Sequence, residues 1–141
     1  MPTLDIARQK DAVVTATADT PVGDIAKTMA NKSVGSVVIH QNEEPIGIVT
    51  DRDIAVKVVA EGKDPKTTTA NDVMEKNIVS VDANTGVREL CAKMKEHSVR
   101  RMPVTENGKL AGFVTLDDLV VLIDQEMTDL SEVIKTESPP Y

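Results

Sequence analysis

A chain of 141 residues with a formal net charge of −7, 40% hydrophobic and 28% charged, has globular composition and a length for one compact domain or two tightly fused halves. One Phe, one Tyr and no Trp leave an aliphatic core and argue against single-stranded nucleic-acid binding, which relies on base stacking; the acidic balance argues against a general DNA binder. Cys91 is the only cysteine, which excludes an intrachain disulfide or a cysteine-based zinc site, and His40 and His97 are too few and too separated for a metal site. The N-terminus carries no apolar signal core and no segment is long enough to span a membrane, so a cytoplasmic protein is expected.

The pattern predicts a helical stub at Asp5-Ile6-Ala7, then a short strand at Val13–Thr15. Asp19-Thr20-Pro21 reads as a helix start, with a capping residue and proline at the first helical position. Val22, Ile25, Ala26 and Met29 then share one helical face. Strands are expected at Ser36–His40 and Ile46–Val49, separated by a polar turn at Asn42–Glu44, and a helix from Asp51 to about Ala60. Residues 61–69 are a polar linker. A second stub, Asp72-Val73-Met74, precedes a second series: a helical face of Val87, Leu90, Cys91 and Met94, strands at Arg101–Thr105 and Leu110–Thr115 around Glu106-Asn107-Gly108, and a helix from Leu116. Cys91 reads as a small core residue. The unbroken apolar run Leu119–Ile123, and its counterpart Ile54–Val59 broken only by Lys57, predict that these helices meet a partner subunit. Residues 129–141 read as a mobile polar tail, and Pro139-Pro140-Tyr141 carries too little information to stand as a proline-rich ligand.

The two series are copies. Shifting the chain by 65 positions superposes Val14 on Val79, Thr20 on Thr85, Met29 on Met94, Ser33 on Ser98, Gly47 on Gly112, Thr50 on Thr115 and Asp53 on Asp118, with no gap from Val13 to Leu119. The stub spacer is two residues longer in the first copy. Two β-α-β-β-α units, residues 3–60 and 70–128, are therefore expected to pack about a pseudo-twofold axis as an α/β (α+β) fold with two equivalent clefts.

The sharpest motif is Gly47-Ile48-Val49-Thr50-Asp51-Arg52-Asp53, repeated as Gly112-Phe113-Val114-Thr115-Leu116-Asp117-Asp118, each where a strand hands over to a helix. Thr-x-x-Asp alone is a capping box variant. Capping does not explain the glycine, which lets another backbone or a ligand approach closely. A carboxylate at a helix start also suits a ribose diol, with free helix amides favouring an anion. Both readings stand, and one side chain can serve both.

The doubled motif, the stubs and Val99-Arg100-Arg101-Met102-Pro103-Val104 resemble the cystathionine-β-synthase (CBS) domain family over roughly residues 3–125. The resemblance implies a tandem pair, or Bateman module, binding an adenosyl compound (AMP, ADP, ATP or S-adenosylmethionine) and forming disc-shaped homodimers through helices 51–60 and 116–127. It implies that Asp53 and Asp118 hold ribose and that Thr50 and Thr115 contact ribose or phosphate. Ile48 and Phe113, with Val37 or Pro103, would line adenine slots, and Thr20 and Thr85 would begin helices bordering the clefts. Arg100 and Arg101 would reach phosphate, their first-copy equivalents being Gly35 and Ser36; Arg52 would add positive charge where the second copy has Asp117, so the first cleft is expected to prefer a phosphorylated ligand. The expected function is a stand-alone regulatory binding module, with no cofactor required and a separate effector protein as possible partner. The alternative is a ligand-free dimerisation or adaptor pair. An enzyme is disfavoured by the lack of a P-loop lysine, a metal cluster or a nucleophile–base pair.

Overall fold

The computed structural model describes residues 1–137. In chain order the elements are α1 (Thr3–Ile6), β1 (Arg8–Gln9), a 3₁₀ turn (Lys10–Ala12), β2 (Thr15–Ala16), α2 (Val22–Lys32), β3 (Ser36–Gln41), β4 (Glu44–Thr50), α3 (Asp51–Ile54) running into a π-helical turn (Ala55–Val59), α4 (Ala70–Val73), β5 (Val81–Asp82), α5 (Val87–His97), β6 (Arg101–Glu106), β7 (Lys109–Thr115) and α6 (Leu116–Glu137). The expected duplication is present. Each copy has a short strand parallel to the first arm of a hairpin, β2 on β3 and β5 on β6. The hairpins close through two residues of positive φ, Asn42 and Glu43 in one, Asn107 and Gly108 in the other, the backbone of a turn whose twist matches the strands. Among the described residues no helix is long and apolar enough to cross a membrane.

Two aliphatic cores result. One gathers Val22, Ile25 and Met29 of α2 with Val37, Ile39 and Val49. The other gathers Leu90 and Met94 of α5 with Met102, Val104, Val114 and Leu119. The sequence pattern did not reveal that the two entry helices change places. The α4 residues Ala70 and Val73, with Met74, belong to the first core, and Ala7 to the second. Backbone bonds hold the exchange: Ala70 and Asn71 donate to the carbonyls of Thr20 and Ala18, Thr3 and Leu4 to those of Thr85 and Ala83. After each entry helix the chain pairs with the opposite sheet, β1 along β7 and Glu75 beside Ile48.

The exchange explains the glycine of the repeated motif: what approaches it is the opposite copy's entry segment, by backbone at Gly112 and by the Met74 side chain, with the Glu75 carbonyl behind it, at Gly47. A Cβ on Gly112 would stand 2.6 Å from the Arg8 carbonyl oxygen, and one on Gly47 would stand 2.5 Å from Met74 Sδ. The hairpin tips are tied as well. Glu43 bonds Lys10 at 3.0 Å and Lys109 at 3.3 Å. The hydrogen bond from Lys10, then that from Lys109, holds its carboxyl below the usual range, a contribution present above the unfolded-state pKa and lost as pH falls through the lowered native value.

Three expectations are corrected. Thr20 does not cap α2: its hydroxyl closes a turn onto the Thr17 amide at 3.3 Å, and Pro21 is extended and bridges Thr69. Cys91 is exposed, because Leu90 and Met94 already define the core side of α5 and the next residue turns about 100° away. The tail reading fails over residues 129–137, which continue α6; Leu130, Val133 and Ile134 keep an apolar spacing among good helix formers, with no Gly or Pro before Pro139. Pro139-Pro140-Tyr141 lies outside the described residues.

Because the obstacle at Gly112 is backbone while that nearest Gly47 is a flexible thioether, Gly112→Ala is expected to destabilise by about 1–3 kcal/mol and Gly47→Ala by less. Urea-unfolding midpoints followed by circular dichroism check this.

Candidate functional site

Thr50 and Thr115 end the last strand of each hairpin, and both close the following helix with a reciprocal box. Thr50 N donates to Asp53 Oδ2 at 2.9 Å, and Asp53 N donates to Thr50 Oγ1 at 3.1 Å. In the second copy Thr115 N donates to Asp118 Oδ2 at 2.8 Å, the Thr115 hydroxyl donates to the same oxygen at 3.0 Å, and Asp118 N donates back at 3.3 Å. The capping reading therefore describes both motifs.

Beyond the box the two carboxylates differ. Lys57, one turn along, pairs with Asp53 Oδ1 at 3.3 Å and donates to the Val73 carbonyl at 2.8 Å. The position equivalent to Lys57 is Leu122, which has no charge to offer. Asp118 uses only Oδ2 in its bonds, so Oδ1 is without a protein partner among the described residues.

Asp118 lies in a cavity of about 250 Å³ between the repeats, near the lower end of the roughly 300–1,000 Å³ of small-molecule sites. The first copy lines it with Val13, Val14, Ser33, Val34, Gly35, Ser36 and Val38; the second brings Phe113, Thr115 and Asp118; Arg8 closes one side. β4 packs against β7 where the copies meet. In register, Val38 stands opposite Ile48 and Pro103 opposite Phe113.

Of the residues singled out from sequence, Phe113, Thr115 and Asp118 are brought together in this cavity. Val37 is corrected: it is 1% exposed inside the first core, and its strand neighbour Val38 takes the cavity face. Alternation along β3 puts Val37 with the helices and Val38 with Ile48, just as Pro103, at the same offset, pairs with Phe113. Ile48 is buried, and Thr50 and Asp53 form their own box, away from this cavity. Thr20 and Thr85 present carbonyls to the exchanged entry helices. Arg52 is exposed and its amide donates to Asp51 Oδ1. Arg101 is an exposed residue opposite Thr115, and Arg100 borders a separate groove with Cys91, Met94, Leu116 and Leu119.

The basic residue of the cavity is Arg8, which sequence reasoning missed. The signal was the offset of the entry stubs: Asp5 matches Asp72 at 67 positions, and 67 carries Arg8 onto Glu75. The cavity with Asp118 thus receives an arginine where the opposite side receives a glutamate. Arg8 enters none of the ion pairs formed among the described residues. Also among those residues, three or more His, Cys, Asp or Glu gather nowhere in a metal-binding group.

The CBS domain family model matches residues 5–60 and 70–125. An uncharacterized protein of Methanopyrus kandleri is 37% identical over 137 residues, covering 91% of this chain and 69% of that protein. Hypoxic response protein 1 of Mycobacterium tuberculosis is 39% identical over 95 residues, covering 67% of this chain and 66% of that one, so the chain spans about two thirds of each relative. A crystal structure of Hypoxic Response Protein I with two coordinated zinc ions superposes with a TM-score of 0.75 at 33% identity, over 85% of this chain and 97% of that one. The hexameric CBS-CP12 protein from bloom-forming cyanobacteria gives 0.72 at 27% identity, over 96% and 85%.

Thr50→Ala and Thr115→Ala each remove one reciprocal cap. Each is expected to lower unfolding free energy by about 0.5–2 kcal/mol, measured in urea without ligand.

Proposed function

The chain belongs to the CBS domain family, whose paired modules are regulatory, and from that premise we propose that it binds one adenosyl nucleotide in the cavity holding Asp118. The observation that carries this reading is Asp118, whose bonds among the described residues use Oδ2 alone, lining a cleft with Gly35 and Ser36. In this reading Asp118 accepts from the ribose hydroxyls and Thr115 lies beside the sugar. Val14, Val38 and Phe113 offer apolar surface to the base. Arg8 supplies positive charge to a phosphate, so the phosphate preference belongs to this cleft rather than to the one with Asp53. There Lys57 competes for the carboxylate and Glu75 repels an anion. AMP, ADP and ATP fit an arginine-bearing cleft better than the cationic S-adenosylmethionine.

The module would act by binding rather than catalysis, in the cytoplasm, passing ligand occupancy to a separate effector through its self-association. The hexameric CBS-CP12 relative supports an assembled state for this architecture. A second reading, a ligand-free adaptor, draws on the capping boxes, which account for both Thr–Asp pairs without a ligand.

Calorimetric titration of AMP, ADP, ATP and S-adenosylmethionine separates the two readings. One nucleotide per chain is expected, with Asp118→Asn weakening it about ten- to a hundredfold, the worth of hydrogen bonds to a charged group, and Asp53→Asn changing little. Heat with none of the four ligands would leave the adaptor reading. Arg8→Gln is expected to weaken the phosphorylated nucleotides while leaving adenosine unaffected; equal losses for both would remove Arg8 from phosphate recognition.

A further inference from the structure

We infer that the cleft holding Asp118 continues past Val13 into a second subsite, and that the two together take an adenylate joined through a pyrophosphate to a second sugar. The inference rests on the nucleotide reading of Asp118 and adds to it. A further cavity, of about 270 Å³, lies beside the first and shares Val13 with it. Three segments pass both in the same order. β3 lines the first with Ser36 and Val38 and the second with His40, followed by Glu43 at the turn. β7 lines the first with Thr115 and Phe113 and the second with Leu110. The entry segment gives Arg8 to the first and Lys10 and Asp11 to the second. Arg8 stands opposite Phe113 in register, between the Thr115 and Leu110 ends of β7. A ribose at Asp118 with its phosphates at Arg8 therefore directs whatever follows them toward Asp11 and His40. Taken together, the two cavities fall within the volume range of small-molecule sites.

The chemistry of the second cavity selects the group. Lys10 and Lys109 both pair with Glu43, at 3.0 and 3.3 Å. Asp11 enters none of the ion pairs among the described residues. Two ammonium groups and two carboxylates thus balance, so this end offers no net positive charge to a further phosphate and suits an uncharged, hydroxyl-rich group. A sugar hydroxyl donates to the Asp11 carboxylate. His40 Nδ1 is buried without a partner. An N–H there would lack an acceptor, so the ring proton sits on Nε2, a donor for a sugar oxygen. Thr15 adds a hydroxyl that can donate or accept. The rim is specifically built: Glu43 holds a φ of 66° where the other copy has Gly108, glycine being the residue that adopts such a φ freely. What Glu43 adds is a side chain that ties the first hairpin to the entry segment and to the second hairpin. The duplicated positions of His40 and Glu43 are Thr105 and Gly108, so the duplication does not copy this subsite.

Calorimetric titration of the full chain with AMP, ADP and ADP-ribose tests it. ADP-ribose carries less negative charge than ADP, so attraction to Arg8 alone would make it the weaker ligand. It is expected instead to bind about tenfold more tightly than ADP, the worth of a hydrogen bond to a charged group. Asp11→Asn and His40→Ala are each expected to remove that advantage. Asp11 is exposed, so Asp11→Asn is no threat to folding and carries the test alone if His40→Ala lowers the unfolding midpoint. The chain has two histidines, and in nuclear magnetic resonance the His40 ring signals are expected to move with ADP-ribose and to stay in place with AMP. ADP-ribose binding no more tightly than ADP, in a chain that does bind ADP, would overturn the second subsite and leave the nucleotide reading standing. An advantage that survives Asp11→Asn would overturn the placement of the sugar in this cavity. Heat with none of the three ligands would remove the nucleotide reading and this inference together.

Discussion

The backbone of each entry segment lies flat across a strand of the opposite repeat, and that contact is available only where the strand carries no side chain. Gly112 receives the Arg8 carbonyl, and Gly47 receives Met74 and Glu75. Everything between the repeats depends on these crossings. They place Ala7 in one core and Ala70, Val73 and Met74 in the other, so neither repeat has a complete core from its own sequence. The Thr3 hydroxyl, 0% exposed and bonded to the Thr85 carbonyl at 2.7 Å, seals one end of the exchange. A duplicated unit of this kind is stabilised as a pair, because the apolar surface of each copy is covered by the other.

The same crossings make a near-symmetric fold electrostatically lopsided. An entry spacer two residues longer in the first copy leaves the strand and helix registers intact, yet it decides which side chain reaches each cleft. Arg8 arrives beside Asp118, while Glu75 arrives near Ile48 on the other side. A second difference reinforces the first: Lys57 neutralises Asp53, and Leu122 leaves Asp118 with an open oxygen. Backbone symmetry survives such changes because the capping boxes need only Thr and Asp, whereas ligand affinity responds to charge a few ångströms away.

α6 extends this asymmetry to the outside of the molecule. Its counterpart after Thr50 is a single helical turn followed by a π-helical turn ending at Val59, while α6 continues to Glu137. Among the described residues only the second copy therefore continues into a long helix with exposed apolar side chains.

Much of this architecture was written locally. The duplication shows as a repeat at 65 positions, and the hairpins around Asn42 and Asn107, the inward faces of α2 and α5 and the Thr–Asp boxes are each encoded within a dozen residues, through helical period, positive φ and capping chemistry. Strand alternation was legible, but not which face of β3 looked toward the second repeat, so Val37 stood for Val38; both are buried, and period two cannot distinguish two covered faces. Cys91 fell to a similar one-residue ambiguity, and the extent of α6 was hidden by its polar composition. The exchange of entry helices and the arrival of Arg8 in the cavity of Asp118 were decided only in three dimensions, whereas the Lys57–Asp53 pair, four residues apart on one helix, is local. The bond from Thr3 to Thr85 joins residues 82 positions apart. No local propensity specifies such a partner; it follows from which surfaces remain uncovered once both hairpins have formed, and that is a property of the packed pair.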